Sequence, residues 1–367
     1  MRYIGGKSQL LGGIDAVVSE NVPRGGGLFC DAFAGTGSVA RHFKPRFQIV
    51  SNDVLHFSYV LQKATVEANA APSFAGLRRA GIDDPAGWLE RADVGLATGC
   101  PFFIAGNYSP APEGGPGAAA GLACAGPGRA AAWPAPRPAP GGGRMYLTRP
   151  NAERVDFIRF TVEGWLAAGL LDEAEYYHLL ARLIEGVPPV SNTAGTYGAY
   201  LKRWDRRALR PFALAPLEIS DNGRDNRSFN TDANLLVRGI EGEVLYVDPP
   251  YTSRQYGSSY HLLETVSRYD SPAIHGVTGA RDCQDARSAY CVRGEAEDAF
   301  EDLVAEARFR HLVVSYSDEG LVRIGRLEEV LRRHGTGACF RRYETPYRRY
   351  KSRTGDGADV HSEYVCY

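Results

Sequence analysis

Asp248-Pro249-Pro250-Tyr251 is the segment of this 367-residue chain whose residue types most restrict the chemistry. It follows an apolar run, Val244 to Val247, that reads as a strand. Two successive prolines fix φ and lock the backbone just past the strand end. The Asp248 carboxylate and the Pro249 carbonyl then become two acceptors aimed at one point. Their natural guest is an amino group carrying two hydrogens. Tyr251 adds a flat face for stacking on an aromatic ring. The set describes a pocket for an exocyclic amine on a planar base, with Asp248, Pro249, Pro250 and Tyr251 as catalytic candidates. Such an amine is a poor nucleophile, because its lone pair is delocalised into the ring. Two acceptors holding its hydrogens favour a pyramidal nitrogen as the transition state forms. Asp248 need not take a proton first, since an ordinary carboxylate pKa near ~3.9 makes it a weak base.

A second constellation, Asp31-Ala32-Phe33-Ala34-Gly35-Thr36-Gly37-Ser38, lies between a predicted strand and a predicted helix. Glycines there let a backbone approach a ligand closely. Asp31, Phe33, Gly35 and Gly37 are candidate cofactor contacts. Asp53 ends the next strand, where a carboxylate can bridge the two hydroxyls of a ribose. The reading is a nucleoside-bearing cofactor. Gly35-x-Gly37-x-x-Ala40 also fits a dinucleotide fingerprint, so a nicotinamide-dependent oxidoreductase is the rival on these residues alone. Near the N-terminus, Arg2-Tyr3-Ile4-Gly5-Gly6-Lys7 sets a flexible Gly-Gly beside an aromatic and a lysine, a combination that could cover a cofactor.

The elements that must position these groups follow an α/β rhythm at both chain ends. Leu28 to Ala32 and Phe47 to Asp53 read as strands, Gly37 to Phe43 and Leu55 to Asn69 as helices. After residue 243 the rhythm returns. Val244 to Val247 and His311 to Tyr316 are strands, with helices at Tyr260 to Tyr269, Glu295 to Arg308 and Leu321 to His334. Ala338 to Tyr343 and Glu363 to Tyr367 form a closing hairpin. Between these parts, Val155, Ile158, Val162 and Trp165 recur at helical spacing, and Asp172 with Glu175 makes a capping-box pattern before another helix. From Pro110 to Gly143, 28 of 34 residues are Ala, Gly or Pro, which reads as a weakly ordered insertion. The expected architecture is an α/β sheet built from residues 1–70 and 235–367. Residues 71–234 are the mainly helical insert, with the low-complexity stretch at 110–143 inside it.

Net charge is -1 at pH 7, so no global field draws the chain to a polyanion, and any such site is a local patch. Only five of 42 basic residues are lysine, a bias that weakens arginine abundance as a signal for phosphate binding. Seven cysteines without a Cys-x-x-Cys pair argue against a metal site and a disulfide framework, and suit a reducing cytoplasm. No apolar run reaches membrane-spanning length.

Taken together and in order, Tyr3-Ile-Gly-Gly-Lys7, Phe33-Ala-Gly-Thr-Gly-Ser38, Asp53, a long intervening segment and Asp248-Pro-Pro-Tyr251 resemble Dam-like adenine-specific DNA methyltransferases. The likeness covers about half of the chain. It implies a Rossmann-like S-adenosylmethionine-dependent sheet with an inserted target-recognition domain. It also implies cofactor contacts from Tyr3, Lys7, Gly35, Gly37, Asp53 and Asp248, and a flipped adenine held by Asp248 to Tyr251 in double-stranded DNA. Tyr3 departs from the family's usual tryptophan but keeps an aromatic. The Ala/Gly/Pro insertion has no counterpart in the pattern. A restriction endonuclease acting on the same site is a further expected partner, and the expected state is a monomer or weak dimer.

Two basic segments are candidates for DNA contact. Lys202, Arg203, Arg206 and Arg207 stand together against a single acid, Asp205. Arg348, Arg349 and Lys351 lie among Tyr343, Tyr347 and Tyr350. Methylation at carbon 5 of cytosine is disfavoured, because its Pro-Cys nucleophile is absent. Methylation of the cytosine amino group uses the same acceptor geometry and stays open.

Overall fold

The computed structural model describes residues 5–22, 25–111, 143–335, 340–348 and 360–367. The chain divides into two compact units, each made of separate stretches. Tyr3–Asn69, Ile219–Tyr256 and Asp285–Tyr367 form the α/β unit, while Ala70–Glu218 and Gly257–Gln284 belong to the helical one. These bounds differ from the sequence-based ones in two places. Residues 219–234 go with the sheet, because they carry a strand, and 257–284 join the helical unit.

In the α/β unit, β1 (Leu28–Asp31), β2 (Gln48–Asn52), β3 (Arg227–Phe229), β4 (Glu241–Val247), β7 (Arg308–Ser317), β8 (Arg342–Arg348) and β9 (Val360–Cys366) form one sheet. Its order is β3-β2-β1-β4-β7-β9-β8. The first five strands are parallel, and β9 runs antiparallel to both β7 and β8. The parallel strands β1, β2, β4 and β7 alternate their apolar residues between two covered faces. Phe29, Ile49, Val244, Tyr246 and Val313 pack on one side with Ile14, Val17 and Val18 of the helix Leu11–Asn21. Cys30, Val50, Leu245, Val247 and Val314 pack on the other, against helices Ala233–Gly239, Ala296–Glu306 and Ile324–His334.

The strand order reverses direction between β1 and β4. In open α/β sheets the crevice beyond the strand ends at such a switch is where ligands bind. Asp31 pairs with Tyr246 there, so the turn after β1 and the tetrapeptide after β4 emerge side by side.

In the helical unit, Thr148 caps the helix Arg149–Ala167, and Asp172 with Glu175 forms the expected capping box on Glu173–Gly186. Asp156 is buried and accepts the N–H groups of Ile104 (2.9 Å) and Ala105 (2.8 Å), capping the short helix Phe103–Tyr108. A hairpin of β5 (Ile274–His275) and β6 (Ala280–Arg281) is braced by the buried Arg144, which donates to the carbonyls of Gly276 (3.0 Å) and Val277 (3.0 Å). Between Gly186 and Glu218 the backbone makes only two short 3-10 turns, so the expected helical character ends with the second long helix. Among the described residues no helix is long and apolar enough to cross a membrane.

The Ala/Gly/Pro stretch lies outside the described residues except at its ends. There Pro110 and Gly143 pair as an antiparallel bridge. Gly143 has φ +92, and a Cβ on it would stand 2.6 Å from Pro110 Cα, so only glycine closes this junction. Deleting residues 113–142 would leave Ala111-Pro112 as a two-residue link across the bridge. That variant is expected to melt within about 4 °C of the parent, the shift of about 1 kcal/mol in a unit of this size. A calorimetric melt checks it.

Candidate active site

Two carboxylates meet at the switch point. Asp31 ends β1, and the chain then turns through Ala32 to Gly37 into the helix Ser38–Phe43. Gly35 and Gly37 both have positive φ (52 and 75), and a Cβ on Gly37 would press to 3.0 Å from Val66. The turn is tied from the neighbouring strand end: Asn52 O accepts the Ala34 N–H (2.8 Å) and Asp53 Oδ2 accepts the Gly35 N–H (2.9 Å). Gln62, fully buried, donates to the Gly35 carbonyl at 2.9 Å. It stands where the helix His56–Gln62 loosens into a π-helical turn, Lys63–Glu67, so the expected helix to Asn69 changes its winding against the glycines. Such π segments recur at functional sites.

Asp248 follows β4 and lies 3.2 Å from the Lys7 ammonium. Lys7, only 4% exposed, donates a hydrogen bond to Glu363 Oε2 at 3.1 Å, and Glu363 itself is buried. Its ammonium centre stands 5.5 Å from the Tyr251 ring centroid. Tyr251 meets Tyr316 edge-on at 6.1 Å, and its carbonyl accepts the Leu321 N–H (2.9 Å), fixing the end of the tetrapeptide.

Burial pushes the Asp248 carboxyl up to about 7; Lys7 opposes this and Glu363 adds to it. Burial also drives Asp31 well above the usual carboxylate range, with the Asp248 charge next in weight. For Lys7 the pull of burial toward neutrality is more than reversed by Asp248 and Glu363, so the lysine stays protonated. Perturbed carboxyls in a cleft are what acid–base and electrostatic catalysis requires.

These groups line one cavity of about 980 Å3, open to solvent. Lys7, Asp31, Phe33, Gly35, Asp53, Asp248, Pro249, Pro250 and Tyr251 all border it. The expected constellations therefore meet at one cavity, while Gly37 is outside its lining. Phe33 is held edge-on by Tyr290 at 5.0 Å. Tyr3 lies outside the described residues.

Other features escaped sequence reasoning. Asp53 was expected to face a ribose, yet both of its oxygens already accept backbone N–H groups, from Gly35 and from Leu55 (2.8 Å). Asp53 nonetheless borders the cavity. Gln255 grips the Ser288 backbone with both ends of its amide, donating to O (3.0 Å) and accepting from N (2.9 Å), which fixes the cavity wall at 286–291. Glu363 had a faint signal: an acid in the apolar alternation of the closing strand.

The basic residues of the helical unit divide. Lys202, Arg203 and Arg206 are exposed. Arg207 is half-buried and spends its guanidinium on the carbonyls of Ser191 (3.1 Å) and Thr193 (2.6 Å), so it braces its own loop. The side chain of Arg348 and the whole of Arg349 and Lys351 lie outside the described residues. Nearer the start of that basic segment, Arg341 and Arg342 are paired with Glu20 and Glu328.

Comparison with known proteins fits this geometry. The family model for D12 class N6 adenine-specific DNA methyltransferases matches residues 3–96 and 119–330. The chain is 43% identical over its full length to the type II methyltransferase M.FokI of Planomicrobium okeanokoites, covering 52% of that protein. It is 38% identical to the modification methylase StsI of Streptococcus sanguinis, over 96% of this chain and 49% of that one. Thus it spans about half the length of these relatives. By contrast, it covers 93% of the type II methyltransferase M.NlaIII of Neisseria lactamica, at 34% identity over 96% of its own length. No solved structure matches significantly. The match of the family model across both sheet-forming stretches, together with these relatives, places the chain in the D12 class of N6 adenine-specific DNA methyltransferases.

Proposed function

We propose that this protein transfers a methyl group from S-adenosylmethionine to the exocyclic amino group of adenine in double-stranded DNA, acting on a base turned out of the helix. The observation that carries the reading is the half-buried Asp248 carboxylate, whose Oδ1 is shielded from solvent. It borders the same cavity as the Gly35 turn and is held there by Lys7. A methyl group on the cytosine amino nitrogen is the second reading, since the two acceptors would serve it equally.

The residues fit the cofactor. Asp31 Oδ2 accepts the Ala40 N–H (3.2 Å), while Oδ1 is buried and makes no hydrogen bond among the described residues, an acceptor available to a ligand donor. Asp31, Phe33, Gly35, Asp53 and Lys7 would hold the cofactor, which supplies an electrophilic methyl carbon when bound. Asp248 and the Pro249 carbonyl would receive the two amino hydrogens and favour a localised lone pair on nitrogen. Tyr251, seated against Tyr316, offers its ring to the base. With a pKa raised to about 7, Asp248 is also basic enough to take up the proton that the methylated nitrogen sheds.

Lys202, Arg203 and Arg206 are the proposed phosphate contacts of a helical target-recognition unit. The names of the type II relatives support a cognate restriction endonuclease acting on the same site; work in the cytoplasm as a monomer or weak dimer is a further part of the proposal. The direct test combines labelled methyl transfer to unmethylated DNA with sequencing of modified bases. Label on the adenine amino group supports the reading. Label on cytosine replaces it with the second one, and no transfer to any duplex ends both.

Asp53→Ala removes a charged acceptor from the Gly35 N–H, an interaction of about 1.5–3 kcal/mol. S-adenosylhomocysteine affinity is expected to fall about 10- to 100-fold in calorimetric titration, with DNA binding unchanged.

A further inference from the structure

We infer that Glu363 is a positioning residue of the active site: it holds the Lys7 ammonium in a three-membered Asp248–Lys7–Glu363 cluster and so sets how firmly Lys7 grips the Asp248 carboxylate. The inference rests on the methyltransfer reading of the cavity and deepens it.

Strand periodicity brings the two carboxylates together. Tyr246 and Val365 pack on the same face of the sheet, and side chains repeat every second residue. Asp248 lies two residues beyond Tyr246 on β4, and Glu363 two residues before Val365 on β9. Because β9 runs antiparallel to β7, its beginning reaches the end of the sheet where β4 finishes. There Glu363 is opposite Ser317 on β7 and Thr345 on β8. An acid at this buried position is costly unless paired, and its cation is Lys7, at 3.1 Å. The lysine is shared with Asp248 at 3.2 Å.

Sharing has a chemical consequence. A lone Lys7–Asp248 pair would be neutral, with the ammonium fully committed to the carboxylate that must accept a substrate hydrogen. A second carboxylate gives the cluster one net negative charge and divides the ammonium between two acceptors. Asp248 is thereby left a better acceptor, and the Gly5-Gly6 segment that borders the cavity is anchored through Lys7 to the last strand. The other groups acting on Asp248 and Glu363 are Asp31 on β1, Tyr246 on β4 and Tyr251 after it. Asp53 acts on Asp31, and Glu319 on Tyr251. Among these, Glu363 is the carboxylate bonded to Lys7 from the far strand.

The test is the pH dependence of single-turnover methyl transfer in the full chain for wild type, Glu363→Gln and Glu363→Asp. Removing the charge should let Lys7 favour Asp248 alone and move the acidic limb of Glu363→Gln down by about half a unit or more. The plateau rate should drop several-fold while the KM for DNA holds. Glu363→Asp keeps the charge and should return the limb toward wild type, an outcome that a purely structural role would not produce. Superimposable limbs in an active wild type and Glu363→Gln overturn the inference alone. A wild type that transfers no methyl group to any DNA overturns the functional reading and the inference with it.

Discussion

Asp248→Ala is expected to lower the methyl-transfer rate by at least about a thousandfold while the protein stays folded and still binds DNA. The size follows from losing an acceptor that acts on the developing transition state, which alone costs about 10²–10³ in rate, together with the proton-accepting group. Folding should survive because Lys7 keeps a second partner. Its bond to Glu363 at 3.1 Å remains, so the deletion leaves no stranded ammonium. DNA affinity should survive because the proposed phosphate contacts, Lys202, Arg203 and Arg206, belong to the other unit of the chain. Rapid-quench transfer of labelled methyl groups, a thermal melt and a DNA-binding titration on one preparation separate the three properties. Turnover within tenfold of the parent would contradict the assigned role.

The wild-type enzyme adds a signed pH prediction from the same group. Only the ionised carboxylate can accept the amino hydrogens, so activity should fall below about pH 7, the value to which burial lifts Asp248. Stability should move the other way. A folded-state pKa above the unfolded one near ~3.9 means the native state binds more protons in between, so this group's contribution declines as pH rises from about 4 to 7. Loss of activity on mild acidification without loss of melting temperature is the expected signature.

How much of this was legible in the sequence depends on the range of the interaction. The tetrapeptide, the glycine turn and the Asp172 capping box are local patterns, and each was found where its residue types put it. The parallel strands announced themselves as apolar runs, because a sheet covered on both faces needs apolar residues at consecutive positions. Strand β3 gave no such signal. Arg227-Ser228-Phe229 is short, polar and at the sheet edge, and it is held by contacts such as Ser51 to Ser228 (3.0 Å) and the Ile49 N–H to Asn226 (2.9 Å). The helix Leu11–Asn21 begins with Leu11-Gly12-Gly13, a poor helical start by propensity. Packing of Ile14, Val17 and Val18 on the sheet stabilises it instead. Within the site, the double duty of Asp53 and the partnership of Lys7 with Glu363, 356 residues away in sequence, arise only once the strands are assembled. The hairpin at the C-terminus was expected, but β8 begins at Arg342, four residues later than the apolar pattern suggested, and β9 begins at Val360, three residues earlier.

Lys7→Met is expected to harm both activity and stability, with a pH dependence that identifies the cause. The substitution keeps the length of the side chain but leaves the half-buried Asp248 and the buried Glu363 without their shared cation. Removing one partner of a buried ion pair costs about 3–5 kcal/mol, because the remaining charge has lost both its water and its counter-ion. Two like charges at close quarters relieve this by one of them taking a proton, so the Asp248 pKa should climb further above about 7. At pH 7.5 most of the carboxylate would then be protonated, and the methyl-transfer rate should fall by at least about a hundredfold, recovering in part toward pH 9. Stability has the opposite slope. Protonation of the pair repairs it, so the melting temperature of Lys7→Met should rise as pH falls from 8 to 6, more steeply than in the parent. Lys7 itself does not titrate in this range, because both carboxylates hold its pKa above the ordinary lysine value. The decisive comparison is the double variant Lys7→Met with Glu363→Gln, which removes one positive and one negative charge together. If the damage is electrostatic, the double variant should be more stable at pH 8 than Lys7→Met alone, with a coupling energy of about 1–3 kcal/mol between the two sites. Additive losses would instead show that Lys7 acts through its packing beneath Tyr251, and that the carboxylates do not feel its charge.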